Sequence, residues 1–370
     1  MAEPEATKLE RLLSRIGTAI PIAIPAACAK VRHRGSSCRR CLDVCPAGAI
    51  HVGDTLTVDP DRCVSCGFCA AVCRTGALAF RRGHVQLLKE AWALARTRGE
   101  VTFACTRYRK DAPRSAVVRV LCLAALDDTV LLGSVARGAG SVHLVEAPCR
   151  DCPLGRVAGE AAATTVESCN SLLLALGRPE RISFVDEAPM RPTGGRNSSG
   201  GTSRRSFLSL ARREAIATLA GAMLPDEPSE GPKEWIDRHG LPAKHMLLVD
   251  ALRRLSRSGP HELPEEVAVP LVRPGISDSC TGCGMCSTFC PTGALKSTAH
   301  EDGTVEIALE REKCTGCDLC ADICYQDAIN INGSRDLHLD GAEPEVLWRG
   351  RPASGDTLVR DWAKEQLKGG

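Results

Sequence analysis

Cysteine is the residue type of this chain whose number and spacing could do chemistry. There are 21 cysteines among 370 residues, and most recur at C-x2-C or C-x3-C spacing, which favours metal binding over disulfide pairing. Two C-terminal runs have the pattern C-x2-C-x2-C-x3-C: Cys280, Cys283, Cys286 and Cys290, then Cys314, Cys317, Cys320 and Cys324. Three close thiolates on one loop can reach three corners of a four-iron cubane, so the fourth ligand must come from elsewhere. These runs predict [4Fe–4S] clusters; a zinc site, usually built from two C-x2-C pairs, is the alternative.

Residues 266–334, which contain both runs, resemble the bacterial two-cluster ferredoxins. In that family the fourth cysteine of each run ligates the other cluster. The resemblance therefore implies two mixed ligand sets. One set is Cys280, Cys283, Cys286 and Cys324, and the other is Cys314, Cys317, Cys320 and Cys290.

A second cysteine segment lies near the N-terminus, and it departs from the pattern at one position. Its later run is complete: Cys63, Cys66, Cys69 and Cys73. Its earlier run has Cys38, Cys41 and Cys45, but Gly35 stands where a first cysteine is expected. The same crossing of ligands predicts one complete set, Cys45, Cys63, Cys66 and Cys69. The other set, Cys38, Cys41 and Cys73, lacks a ligand.

Three hypotheses account for the missing ligand of this last set. Cys28, the only thiol upstream, could supply the fourth ligand across a nine-residue loop. The site could instead hold a [3Fe–4S] cluster, or a cubane with a non-cysteine ligand such as His33. We favour Cys28, since cysteine is the usual ligand; the alternative is a buried apolar cysteine. The chain is thus expected to bind three to four [4Fe–4S] clusters.

Between the two cysteine segments, strands alternate with helices. Strands are predicted at 101–105, 117–122, 141–147 and 181–185, and helices at 84–98, 123–137 and 155–176. This alternation favours a parallel sheet covered by helices. Cys105 and Cys122 end the first two strands, and Cys149 and Cys152 follow the third. Ligands in such sheets bind beyond the carboxyl ends of the strands, so these four thiols are placed to converge on a [2Fe–2S] cluster or zinc. Plain packing is the alternative, as we predict for Cys169 in the last helix.

The middle stretch resembles the delta subunit of methyl-viologen-reducing hydrogenases over about residues 98–180. The segments VTFAC and VRVLC carry the resemblance, together with a later strand that ends near Cys149 and Cys152. It implies a [2Fe–2S] relay that joins a hydrogenase or heterodisulfide-reductase-like partner.

An internal segment, SRRSFL at residues 203–208, looks like a twin-arginine export motif. Such signals are N-terminal, so export is not the favoured interpretation. With the later cysteine runs, residues 203–330 also resemble the accessory ferredoxins of periplasmic nitrate reductase systems. This resemblance implies an alternative role in the maturation of a molybdenum enzyme. An amphipathic helix over residues 204–224 with two solvated arginines is the simpler interpretation.

Composition excludes several other classes. The net charge of +2 gives no basic field for nucleic acid. No apolar run reaches the roughly 18–20 residues that a membrane span needs. No secretory signal opens the sequence, which with the metal-type cysteines predicts a cytoplasmic protein. There is no catalytic triad, phosphate loop or dinucleotide fingerprint, so the chain is not expected to be catalytic by itself.

The predicted fold class is two α+β ferredoxin-like modules flanking an α/β domain with a small parallel sheet. The predicted segments are an N-terminal helix at 1–25, module 1 at 26–83, the α/β domain at 84–186, a flexible linker at 187–203, a helical connector at 204–265, module 2 at 266–334 and a tail at 335–370.

These observations predict a multi-cluster electron-transfer protein, a subunit or relay of a larger oxidoreductase. Its partners would be redox proteins: hydrogenase, heterodisulfide-reductase-like or molybdenum enzyme subunits. A redox sensor that uses the Gly35 site is a further alternative. Basic residues crowd the first cysteine motif, namely Lys30, Arg32, His33, Arg34, Arg39 and Arg40. They could form a docking face for an acidic partner, or a solvated face that offsets cluster charge.

Overall fold

The computed structural model of the chain describes residues 20–80, 84–108, 117–188, 241–257, 263–333, 339 and 343–353. These residues belong to one folded unit. Most of the predicted linker, the segment SRRSFL and the predicted helix at 204–224 lie outside the described residues.

The first cysteine segment is built from short helices and short strand pairs. Its helices are α1 (Ala29–Arg32), α2 (Arg40–Asp43) and α3 (Phe68–Val72), and its strands are β1 (Ile22–Ala23), β2 (Ile50–Val52), β3 (Leu56–Val58) and β4 (Leu78–Ala79). Strand β1 pairs with β4 and β2 with β3, both antiparallel. Helices of four or five residues are too short to be stable alone. Their geometry therefore depends on what holds the cysteine loops together.

Strand β1 corrects the predicted N-terminal helix at 1–25. Residues 22–23 pair with β4, and Pro25–Ala27 form a 3-10 turn. Pro21 and Pro25 account for the difference, because proline lacks the amide hydrogen that a continuing helix needs. Residues 1–19 of the predicted helix lie outside the described residues.

The four cysteine runs share a backbone feature. Each run is followed, three residues after its last cysteine, by a turn residue with positive φ: Gly48 at +55°, Gly76 at +71°, Gly293 at +64° and Asp327 at +48°. The sequence keeps glycine in three of these turns and aspartate in the fourth. Both types tolerate the left-handed region, so the four runs keep the same turn.

The α/β domain contains a parallel sheet with the strand order β6-β5-β7-β8. The strands are β5 (Glu100–Cys105), β6 (Val118–Val120), β7 (Ser141–Val145) and β8 (Arg181–Val185). The helices are α4 (His84–Arg98), α5 (Asp128–Ala136) and α6 (Gly155–Ala175), and α4 and β8 have the predicted bounds. Strand β5 is buried along almost its whole length, as expected for an interior parallel strand. Phe103, Leu131 and Leu144 are fully buried in the core.

Helix α5 is shorter than the predicted helix at 123–137. Residues Leu123–Ala125 form a separate 3-10 turn, and the α-helix begins only after Asp127. The Asp127 carboxylate accepts a hydrogen bond from the Val130 amide at 3.1 Å. This N-cap satisfies an amide that would otherwise be unpaired, and so fixes where the helix begins.

Helix α7 (Ala243–Ser256) packs into the core of the α/β domain through Leu248, Leu252 and Leu255. The predicted connector at 204–265 thus contributes to that domain rather than only linking two others. Among the described residues, none of the helices is long and apolar enough to cross a membrane. The cytoplasmic location stays a prediction.

The second cysteine segment repeats the design of the first. Strand β9 (Val272–Ile276) pairs with β12 (Ile329–Gly333), and β10 (Leu295–Ala299) with β11 (Val305–Leu309), both antiparallel. Its short helices are α8 (Met285–Thr288) and α9 (Leu319–Asp322). The predicted tail at 335–370 is partly wrong, because Glu345–Gly350 form strand β13 on β11, with Ile307 opposite Trp348.

Candidate metal centres

The first C-terminal cysteine group, which we call group D, surrounds the start of helix α8. Burial raises the pKa of Cys286, and neighbouring thiols raise it further. Those neighbours are Cys283, Cys280 and Cys324. The sulfur of Cys324 also accepts the Ala328 amide hydrogen at 3.4 Å. The structure thus brings together four thiols drawn from both runs.

The second C-terminal group, group C, lies beside the first. Burial raises the pKa of Cys317 to about 12, and the thiols of Cys290 and Cys314 raise it further. Burial also raises the pKa of Cys320, whose neighbours include Cys317, Cys314 and Cys290. Cys320 is in addition close to Cys286 of group D. The two groups are therefore adjacent within the module.

Group A in the N-terminal module has the same crossed composition. Burial raises the pKa of Cys69 to about 12, followed by the effects of Cys66, Cys63 and Cys45. The sulfur of Cys45 accepts the Ala49 amide hydrogen at 3.3 Å. This bond matches the one from Ala328 to Cys324 in position. Amide donors to cluster-ligating sulfurs are one of the ways in which a protein tunes an iron–sulfur centre.

Group B contains Cys28. Burial raises the pKa of Cys41 to about 12, and Cys73, Cys28 and Cys38 follow as its neighbours. Cys28 is buried and lies at the start of α1, where the amides of Val31 and Lys30 point toward its sulfur. The structure thus places a fourth thiol beside the incomplete set.

His33, the alternative ligand, is engaged elsewhere. Its Nδ1 atom accepts the Gly35 amide hydrogen at 3.0 Å. Its ring packs edge-on against Phe289, with centroids 5.0 Å apart. These contacts favour Cys28 over His33 as the residue that compensates for Gly35.

The four middle-domain thiols, group M, lie at the carboxyl edge of the parallel sheet. Cys105 ends β5, which runs parallel to β6 and β7, so the residues that follow those strands share its edge. Burial raises the pKa of Cys149 to about 11, and Cys105, Cys122 and Cys152 raise it further. Cys169 lies apart from them, buried in the domain core as predicted.

Group M is next to group A. Burial raises the pKa of Cys122, and among the neighbouring thiols Cys66 of group A raises it most, ahead of Cys105 and Cys152. The chain around them is tightly packed: a Cβ atom added to Gly67 would lie 2.6 Å from the Cβ of Ala125. The carboxyl edge of the sheet therefore packs against the first module at the cysteine loop that contains Cys66 and Gly67.

This packing gives a prediction for Gly67→Ala. Gly67 has φ of +85° and Gly99 has φ of +73°, so alanine should cost about 1 kcal/mol at either position. At Gly67 the added methyl group also clashes with Ala125, whereas nothing lies within 4 Å at Gly99. We expect Gly67→Ala to lower stability by about 1–3 kcal/mol more than Gly99→Ala. Thermal unfolding of both variants measures the difference; equal midpoints would contradict it.

The buried side chain of Arg32 bears on whether the site fits an anionic cluster. The guanidinium of Arg32 has buried Nε and Nη1 atoms with no hydrogen-bond partner in the described part of the chain. Burial lowers the pKa of Arg32, and Cys290 and Cys317 oppose this. A buried cation needs a compensating negative charge, which thiolate-bound iron and sulfide would supply. The donor sets and this unpaired cation therefore fit [4Fe–4S] clusters.

Among the described residues, no three Cys, His, Asp or Glu side chains close around one metal-ion position. The ligands of a cubane each bind a different iron and so need not converge on one point.

Comparison with known proteins supports [4Fe–4S] binding by the two cysteine segments. A family model described as a 4Fe-4S dicluster domain matches residues 36–77 and 279–328. A ferredoxin 7Fe of Hydrogenibacillus schlegelii is 39% identical over 59 residues, which are 16% of this chain and 70% of that protein. The chain belongs to the ferredoxin family. A ferredoxin of Alicyclobacillus acidocaldarius subsp. acidocaldarius is 40% identical to it over 45 residues, 12% of this chain and 58% of that protein.

This ferredoxin-family chain therefore has modules that bind [4Fe–4S] clusters, and it is an iron–sulfur electron-transfer protein. The family model leaves residues 78–278 unmatched. The resemblances to hydrogenase delta subunits and to nitrate reductase accessory ferredoxins stay predictions.

The basic residues near the first motif are mostly engaged within the ferredoxin chain. Lys30 donates to the Ser36 carbonyl at 3.0 Å, Arg39 pairs with Asp43 at 3.2 Å, and Arg34 with Asp54 at 3.1 Å. Arg40 pairs with Asp318 of the second module. The hypothesis of a docking face for an external partner is thus not favoured for Arg40, whose partner is internal.

Proposed function

We propose that this protein is a multi-cluster relay within a larger oxidoreductase, with four [4Fe–4S] clusters and a fifth centre in the α/β domain. The observation that carries the proposal is the proximity of group M to group A. Thiols from a sheet edge and from a ferredoxin loop share one neighbourhood, around Cys122 and Cys66. A free electron carrier needs no centre beyond its ferredoxin clusters. In a relay, an added centre extends the distance over which electrons are passed.

Groups A, C and D would each hold a cubane through the cysteines named above. We propose group B as the fourth cubane site, with Cys28 as its fourth ligand. The name of the Hydrogenibacillus relative counts seven irons, one fewer than two cubanes contain. A three-iron cluster in group B is therefore the competing outcome.

For group M we propose a [2Fe–2S] cluster, with zinc as the alternative. Both accept four thiolates. A two-iron centre suits the proposed relay because it can carry an electron, whereas Zn²⁺ has no redox chemistry.

When bound, the clusters supply one-electron transfer, and the chain supplies their spacing, burial and hydrogen bonding. Amides of Ala49 and Ala328 donate to ligand sulfurs. An outside partner would approach group M over a recess beside Cys149 that is lined by Arg107, Tyr108, Ala147, Pro148, Arg150, Asp186 and Glu187. We propose a redox enzyme subunit of the hydrogenase, heterodisulfide-reductase or molybdenum type as this partner.

Anaerobic purification with metal and sulfide analysis tests the proposal. Four cubanes and one two-iron centre predict about 18 irons and about 18 sulfides per chain. About 16 irons with one zinc would leave the ferredoxin modules intact and overturn the fifth redox centre. Stoichiometric zinc with no low-temperature EPR signal after reduction would overturn electron transfer altogether.

A further inference from the structure

The two ferredoxin modules touch through residues that adjoin their cysteines. Arg40, next to Cys41, donates to the Gly316 carbonyl at 2.9 Å and to the Asp318 carboxylate at 2.5 Å. The Ser37 amide, next to Cys38, donates to the Asp322 carboxylate at 2.8 Å. Gly316 and Asp318 flank Cys317. The contact therefore joins a loop of group B directly to a loop of group C.

An apolar cluster fills the space beside these polar contacts. Its buried members are Ala29, Phe289, Leu319 and Ile323. Cys38 of group B and Cys317 of group C pack against the same cluster. The ring of His33, which belongs to the first module, packs edge-on against Phe289 of the second module. A continuous packed path thus links the two thiol groups.

We propose that Arg40, Asp318 and Arg32 form a built junction, which holds group B against group C so that electrons pass between the two modules inside one chain. The inference rests on the proposed function and deepens it by naming where the relay crosses from one module to the other. With group M beside group A and group D beside group C, the junction orders the centres as M, A, B, C and D.

The backbone at Asp318 supports a specific role for this residue. Asp318 has φ of +65°, in the left-handed region. The matching positions of the sister loops are Gly67 at +85° and Gly284 at +73°. Glycine adopts this conformation without cost, whereas aspartate does so less readily. The loop geometry alone therefore does not require aspartate here. The ion pair with Arg40 explains why a carboxylate stands at this position.

Arg32 provides a second, independent observation. Its guanidinium belongs to the N-terminal module, yet the thiols that act on it are Cys290 and Cys317 of group C. No partner in the described residues satisfies its buried Nε and Nη1 atoms. The first module thus contributes a positive charge to the cluster site of the second. A cation at this position favours the more reduced, more negative state of group C.

The step across the junction is the transfer of a single electron. One electron leaves the group B site and one arrives at the group C site, or the reverse, and no bond forms or breaks. The electron comes from an external one-electron donor, which is a redox protein in the cell and dithionite in the experiment.

The test compares Asp318→Gly and Arg40→Ala with Arg39→Ala in the full-length, cluster-loaded protein. Asp318→Gly suits the purpose because the sister loops already fold with glycine at that position. Arg39 is the matched control, since it neighbours Arg40 but pairs locally with Asp43. We expect the Ser37 amide region to exchange hydrogen about tenfold faster in both junction variants and unchanged in the control. We also expect weaker magnetic interaction between modules in EPR of the fully reduced protein.

A potentiometric titration of Arg32→Gln completes the test. The potential of one C-terminal centre should shift to more negative values while the N-terminal centres keep theirs. Wild-type iron content serves as the separate check on the proposed function: missing clusters would overturn that function and not only the junction. Intact clusters with unchanged exchange and EPR in Asp318→Gly and Arg40→Ala would overturn the junction. Faster exchange with unchanged EPR would overturn its part in electron transfer.

Discussion

Cys28→Ala is expected to remove one cluster, lowering the iron content by about four per chain. Cys28 lies in group B beside Cys41 and Cys73, although it belongs to neither cysteine run of its module. Without it, three thiols face four iron corners. A three-iron cluster could still form on those thiols, and the loss would then be about one iron, with an EPR signal in the oxidised protein. Iron analysis and EPR before and after reduction distinguish the two outcomes.

Cys169→Ala is the matched control for this experiment. Cys169 is also a buried cysteine, but it lies in α6 within the core of the α/β domain. Its replacement should leave the iron content unchanged. If Cys28→Ala also retained full iron and an unaltered EPR spectrum, the fourth ligand of group B would be another residue, and our assignment would be wrong.

Asp127→Asn is expected to lower the free energy of unfolding by about 3 kcal/mol, the usual effect of removing one partner from a buried ion pair. The buried Asp127 carboxylate lies 2.8 Å from His84 Nε2 and 2.7 Å from Lys244 Nζ. Lys244 also donates to the Ala70 carbonyl of the first module at 3.3 Å. Asparagine remains a good N-cap for α5, so the change removes mainly the charge. Thermal unfolding of the loaded protein measures the loss.

The pH dependence of this effect has a definite sign. Burial by itself would raise the pKa of Asp127, but His84 and Lys244 outweigh it and hold the pKa below its usual value. A carboxyl group with a lowered pKa stabilises the fold above its unfolded pKa of about 4, and the contribution is lost as the pH falls through the folded pKa. The difference between wild type and Asp127→Asn should therefore persist at pH 5. The exposed Asp43→Asn should change stability by less than about 0.5 kcal/mol. Disappearance of the difference at pH 5 would contradict the ion-pair explanation.

Local pattern predicted the parts of the fold whose signals are local. Helix α4 and strand β8 were predictable because their periodicity and ends lie within one segment. The break before α5 was also available in the sequence, since the aspartates at 127 and 128 are a typical helix start. Strand β13 was not, because its partner β11 lies about forty residues earlier and the intervening chain gives no hairpin signal.

The candidate sites divide in the same way. Three cysteine groups follow from spacing and from the family's crossed ligands. For group B the sequence favoured Cys28 as the upstream thiol although no run includes it, and the fold places it beside Cys41. The junction was beyond sequence reasoning, because Arg40 and Asp318 are 278 positions apart and each looks like an ordinary surface charge. Only the folded arrangement pairs them.

The short helices and strands of the two cysteine segments have a consequence for how the newly made chain matures. The α/β domain has a core of fully buried side chains such as Phe103 and Leu144, so apolar burial is a main source of its folding free energy. The cysteine segments have small cores, in which cysteine sulfur replaces much of the usual hydrocarbon. Their folding free energy must come largely from iron and sulfide. In a cell short of iron, we expect a newly made chain to fold its α/β domain while both cysteine segments stay unfolded. The supply of metal then decides whether these two segments fold.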